Sequence, residues 1–283
     1  MVSVDSMAVY RNMDIGTAKP TPPERAGLTV HMIDLVDASF DFTVSHFQSA
    51  ARDVVRGIEE RAGRALFVGG TGLYLRAVTD DLRLPGIWPD LAASLEREAD
   101  TLGPETLHAR LVKLDPEAAG RIEPANRRRV VRALEVTLGS GAPFSSYGPG
   151  LGTYADTAVT QVGIPYVPAI HDQKIRDRFE LHLEQGLLDE VQGLLDAPGG
   201  MSRTARQAIG YKELISFLEG EVSFAVATES AVRRTRNLAR RQWAWFRRDP
   251  RIDWVDPSGD LGGQLFERFD RARSAGTRSP VGD

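Results

Sequence analysis

Ala65-Leu66-Phe67-Val68 is a run of four apolar residues with no polar alternation, which predicts a strand buried on both faces. The Gly69-Gly70-Thr71-Gly72 turn behind it leads into a helix starting near Leu73. Val2 and Val4 predict a short strand that Asp5-Ser6 ends, and Val30 to Val36 predicts another. Between them Pro20, Pro22 and Pro23 exclude a helix. After Asp41, a good cap, Val44, Phe47, Ala51, Val54, Val55 and Ile58 recur at helical spacing as far as Arg61, and Gly63 ends that helix. Strand and helix thus alternate, as in a parallel sheet covered by helices, which makes the fold class α/β.

From Pro85-Gly86-Ile87-Trp88-Pro89 the pattern changes to short amphipathic helices, 91–100, 105–114 and 116–122, with no strand among them. We expect residues 85–125 to form a small all-helical insertion in a core made of 1–84 and 126–283. The core resumes with a helix at Arg128, followed by a Gly/Ser/Pro-rich loop over 139–152 and a buried strand over 157–162. A long helix over 171–195, helices over 205–218 and 223–246, and a strand at Ile252 to Val255 complete the pattern, with a disordered tail from Ser274.

Composition narrows the class without naming a chemistry. A chain of 283 residues with 42% hydrophobic and 26% charged content can bury one large core and a small second domain. No run approaches the roughly 18 apolar residues of a membrane helix, and the amino terminus lacks a signal-peptide pattern, so we expect a cytoplasmic monomer without a membrane anchor. Cysteine is absent, which excludes disulfides and thiol catalysis. The net charge of −4 argues against a basic surface overall. Local clusters stand out all the same: Arg127-Arg128-Arg129 with Arg132 within one helical turn, and Arg233 to Arg248 with Trp243, Trp245 and Phe246 interleaved. The tryptophan stripe has the spacing of core packing.

At the carboxyl end of a strand, where open α/β sheets place ligands, Asp5 offers a proton acceptor and Thr71 a hydroxyl beside glycine amides. The run Asp5-Ser6-Met7-Ala8-Val9-Tyr10 to Asp14-Ile15-Gly16-Thr17-Ala18-Lys19-Pro20 resembles the D-S-x-Q-V-Y-x-x-M-D-I-G-T-A-K-P block of the tRNA dimethylallyltransferases. Four further blocks follow in family order: Gly69 to Leu75, Arg128 to Val136, Ala208 to Glu213, and Thr235 to Phe246. The resemblance implies a P-loop NTPase-like parallel sheet flanked by helices. It also implies transfer of a dimethylallyl group from dimethylallyl diphosphate to the exocyclic amine of the adenosine beside the anticodon in tRNA.

Carried over residue by residue, the resemblance makes Asp5 and Thr71 catalytic. It assigns Asp5, Ser6, Met7, Ala8, Arg128, Arg129 and Arg132 to tRNA, with the anticodon stem-loop as partner. Asp14, Lys19, Gly70, Arg206 and Gln207 are expected along the diphosphate channel, and His31 is structural. Magnesium is implied as cofactor, with no ligand expected in this chain.

The chain departs from the family pattern in four places. No G-x-x-x-x-G-K-[ST] phosphate loop occurs in it, whereas the family carries one about 25 to 35 residues before the aspartate. Ala8 replaces the usual Gln and Arg128 stands where Gln is usual, while the insertion lacks an Arg near Ala92. Two explanations stand for the missing loop: a start assigned too late, or a true loss that leaves a tRNA-binding relic. Loss of a first strand would expose an apolar sheet edge, which favours the first. A free-adenylate isopentenyltransferase of similar fold is the remaining alternative; the arginine helix and the insertion point to tRNA instead. Residues 1–283 by themselves are expected to bind diphosphate poorly.

Overall fold

A computed structural model describes residues 1–61, 63–148, 150–157 and 159–274. Of the tail expected from Ser274, only Ser274 itself is described, at the end of a helix, and the rest lies outside the described residues. The chain divides into two compact units, one of residues 1–81 with 156–283, the other of residues 82–155.

The first unit is the α/β one. Strand β1 (Val2–Val4) pairs in parallel with β2 (Phe67–Gly69), Val2 opposite Phe67 and Val4 opposite Gly69. A second parallel pair joins β3 (Gln161–Gly163) to β4 (Ile252–Trp254). Helices α1 (Val44–Glu60), α2 (Gly72–Thr79), α7 (Pro168–Glu184), α8 (Leu187–Asp196), α9 (Tyr211–Leu218), α10 (Phe224–Phe246) and α11 (Leu261–Ser274) belong to the same unit. The core gathers Val2, Val4, Tyr10, Phe47, Tyr211 and Leu214, all at most 2% exposed. The α/β class and the parallel pairing follow the sequence pattern.

Several elements differ from expectation, each for a local reason. The 30–36 stretch is no strand: only His31 and Val36 bridge to Val2 and Tyr10, because Met32 and Asp34 take left-handed backbone at φ 66° and 56°. The helix expected over 171–195 breaks at Gly186, φ 98°, into α7 and α8. Thr43, not Asp41, caps α1, its hydroxyl accepting from the His46 amide while the His46 ring accepts from the Thr43 amide. Residues 205–207 form one 3₁₀ turn ahead of α9, and α11 has no counterpart in the expected elements. Strand β2 is not buried on both faces: Val68 is 47% exposed, since β2 pairs with β1 alone among the described residues. Its outer side lines a cavity of about 1190 Å³ that β3, Trp243, Phe246 and Trp254 also line.

The second unit is all helical among its described residues: α3 (Pro89–Leu102), α4 (Pro104–Leu114), α5 (Pro116–Gly120) and α6 (Arg127–Ser140). It extends past the boundary expected at 125, because Val130, Val131, Ala133 and Leu134 of α6 bury themselves against Leu95, Leu107 and Leu111 of α3 and α4. The Arg128 helix therefore belongs to the helical unit and not to the α/β core.

Candidate active site

The end of β1 and the start of α2 meet at one point. Asp5 turns its carboxylate back on its own chain, Oδ1 accepting from the amides of Met7 at 2.7 Å and Ala8 at 3.2 Å. Oδ2 is unengaged among the described residues. Thr71 starts α2 without capping it; its Oγ1 accepts instead from the Ser6 amide at 3.3 Å, which leaves the hydroxyl proton to donate. Its own amide donates to the Val4 carbonyl at 3.2 Å, so β1 and the glycine turn are tied on both sides of Asp5. Tyr74 sits one turn along α2; burial pushes its phenol up, with Tyr10 and Asp5 adding to the effect, so it stays a protonated donor.

The glycines of the turn are needed for close approach rather than for unusual dihedrals. A Cβ at Gly69 would overlap the Val4 carbonyl, one at Gly70 the Gln242 amide, and one at Gly72 the Trp245 indole. Gln242 and Trp245 of α10 thus lie directly on the turn, and Trp243 meets Trp254 edge to face at 4.7 Å. The stripe expected as core packing also borders the site. Helical spacing marks a helix edge that meets the sheet, but not that the edge reaches the glycine turn.

Behind the Asp5 turn lies Lys19, whose side chain is 3% exposed and whose ammonium is fully engaged. It donates to the Tyr10 carbonyl at 2.5 Å, Asp14 at 2.7 Å and Asp34 at 2.6 Å. With three donors and three acceptors, it has none left for a phosphate; its place is that of a loop anchor. Gly70 lines the cavity beside β2, and Asp14 and Lys19 do not. Arg206 pairs with Glu219 at 2.5 Å, and Gln207 accepts from Lys212 at 3.1 Å, both on the surface. His31 joins the sheet through its backbone, and desolvation, the amino terminus and Arg61 lower its pKa, which keeps the ring neutral. No helix among the described residues is long and apolar enough to cross a membrane.

In the helical unit the arginines divide by partner. Arg127 is tied to Glu96 at 2.7 Å and Asp100 at 2.5 Å. Arg132, expected on phosphate, binds the buried Glu135 at 2.8 Å and the carbonyls of Pro85 and Gly86, while Glu135 also accepts from the Trp88 amide. It is a clamp of the Pro85–Trp88 turn. Arg128 and Arg129 are exposed, and among the described residues neither guanidinium meets a carboxylate. Arg129→Ala should therefore weaken RNA binding and flatten its slope in log affinity against log salt by about one, whereas Arg132→Ala should lower the unfolding midpoint. Filter binding across a salt series together with urea unfolding checks both.

Among the described residues no group of three or more His, Cys, Asp and Glu side chains converges to hold a metal ion.

A family model described as IPP transferase matches residues 8–249. The tRNA dimethylallyltransferase of Streptomyces coelicolor is 43% identical over 97% of this chain and 86% of its own length. That of Kineococcus radiotolerans is 42% identical over 97% of this chain and 88% of its own. Among solved structures, the full-length tRNA isopentenylpyrophosphate transferase of Bacillus halodurans superposes with a TM-score of 0.68 at 34% identity, covering 97% of this chain and 89% of that one. A eukaryotic dimethylallyltransferase solved acting on tRNA gives 0.73 at 25% identity, covering 96% of this chain and 70% of that one. The α/β fold is the phosphate-loop type of these enzymes, and the chain belongs to the IPP transferase family, with the tRNA dimethylallyltransferases.

Proposed function

We propose that the chain transfers a dimethylallyl group from dimethylallyl diphosphate to the exocyclic amine of the adenosine beside the anticodon of tRNA. The observation that carries the reading is the Asp5 Oδ2 left unengaged next to Ser6, whose amide is held by the Thr71 hydroxyl oxygen, in a member of this family. The amine attacks the donor's first carbon; a C–N bond forms, the C–O bond to diphosphate breaks, and the amine proton passes to Asp5 Oδ2. The Thr71 hydroxyl, the amides of Gly70 and Gly72 and the amino end of α2 favour the leaving anion. A base in a loop leaves its stack at a lower cost than one in a duplex, which suits an anticodon loop.

Ser6, Met7 and Ala8, placed around the Asp5 carboxylate, are proposed to meet the target base, and Arg128 and Arg129 the RNA phosphates. Magnesium is proposed to arrive with the diphosphate, since this ion is commonly held by substrate phosphates and few protein oxygens. The cytoplasm, where tRNA is modified, is the proposed compartment. Labelled dimethylallyl diphosphate incubated with an anticodon stem-loop and with free adenylate tests the reading. Label is expected in the stem-loop; label in adenylate alone would sink it.

A further inference from the structure

Outside the site, one carboxylate is engaged far more fully than a surface salt bridge requires. Glu190, on α8, accepts from three consecutive amides, Asp14 at 3.0 Å, Ile15 at 2.8 Å and Gly16 at 3.3 Å, and from the hydroxyl of the fully buried Tyr211. The Tyr211 ring packs so closely on Gly16 that a Cβ there would overlap it. From this anchor a chain of bonds runs back to the Asp5 turn. The Asp14 carboxylate takes Lys19; Lys19 takes Asp34 and the Tyr10 carbonyl; the Asp34 amide donates to the Ala8 carbonyl at 3.1 Å; and the Ala8 amide donates to Asp5. Along it Ala18 and Met32 hold left-handed backbone, which such residues keep only where the surroundings force it, as do Asn12 and Asp34, types that adopt it more readily.

We infer that Glu190, through the Asp14–Lys19 loop, is a positioning residue that fixes the Asp5 carboxylate for transfer. The inference rests on the reading of Asp5 given above. The two strained residues need an external hold, and three amides converging on one carboxylate supply it in a place no single-residue change at the site would reveal. Loss of that hold lets the loop relax and moves the carboxylate off its line, and small displacements of this kind cost up to about 10²-fold in rate.

The test compares Glu190→Ala, Glu190→Gln and Tyr211→Phe with the wild type. Glu190→Ala is expected to lower kcat roughly 10- to 100-fold per folded molecule with the KM for tRNA nearly unchanged, and Glu190→Gln, whose carbonyl still accepts from the amides, to recover most of it. Tyr211→Phe keeps the ring on Gly16 and should lose less, in the same direction. Amide hydrogen exchange should speed up at Asp14 to Gly16 and also at Asp34 and Ala8 in Glu190→Ala. A native kcat in Glu190→Ala, or exchange that rises at 14–16 alone, overturns the inference. If Glu190→Ala does not fold, Tyr211→Phe with native kcat and native exchange overturns it. Absence of transfer by the wild type counts against the proposed function, and the exchange pattern then decides the positioning claim by itself.

Discussion

Asp5→Asn is expected to lower turnover by roughly 10²- to 10⁴-fold while tRNA affinity stays nearly unchanged. The asparagine carbonyl can keep the two bonds that Oδ1 accepts from Met7 and Ala8, so the turn persists. What the substitution removes is the proposed proton acceptor at Oδ2. Single-turnover transfer rates beside equilibrium binding of the stem-loop separate the two effects. An equal loss in binding and rate would mean that the carboxylate holds the turn and does no more.

The largest effect on stability is expected at Arg251. It binds Asp80 at 3.0 Å and Asp249 at 2.7 Å, and Arg76 binds Asp80 from the last turn of α2 at 2.6 Å; the two carboxylate side chains are 3% and 5% exposed. Arg251→Met leaves buried carboxylates short of a partner, which costs about 3–5 kcal/mol. The pH dependence has a definite sign. Desolvation alone would raise the Asp80 pKa, but the hydrogen bonds from Arg251 and Arg76 outweigh it and hold the carboxyl below its ordinary value. Its contribution is therefore complete above the unfolded value, about 4, and disappears as pH falls through the lower folded one. Urea unfolding at neutral and acidic pH should show a wide gap between wild type and Arg251→Met that narrows below about pH 4. A gap independent of pH would contradict the account.

The elements with strong periodicity were legible in the sequence. Ser223 caps α10 where its apolar spacing begins, and Pro89, Pro104 and Pro116 each open a helix. The illegible parts depend on contacts distant along the chain. Met32 and Asp34 sit in an apolar run that reads as a strand, yet Lys19 draws the Asp34 carboxylate inward and the backbone turns left-handed. Glu190 meets amides some 175 residues before it, and no spacing rule predicts that meeting. Arg132 is different: its partner Glu135 lies three residues on, a helical neighbour, so the signal was present and the arginine cluster obscured it.

The role proposed for Asp5 is to take a proton from an exocyclic amine, so the most direct measurement removes only that amine. An anticodon stem-loop with purine riboside in place of the target adenosine keeps the fold of the RNA and its phosphates. Incubated with labelled dimethylallyl diphosphate and enzyme, the adenosine stem-loop should take up label that nuclease digestion places on the amine beside the anticodon. The purine stem-loop should bind equally well and take up none. Label in the purine stem-loop, or at a position away from that amine, would contradict the assignment of Asp5 as acceptor of the amine proton.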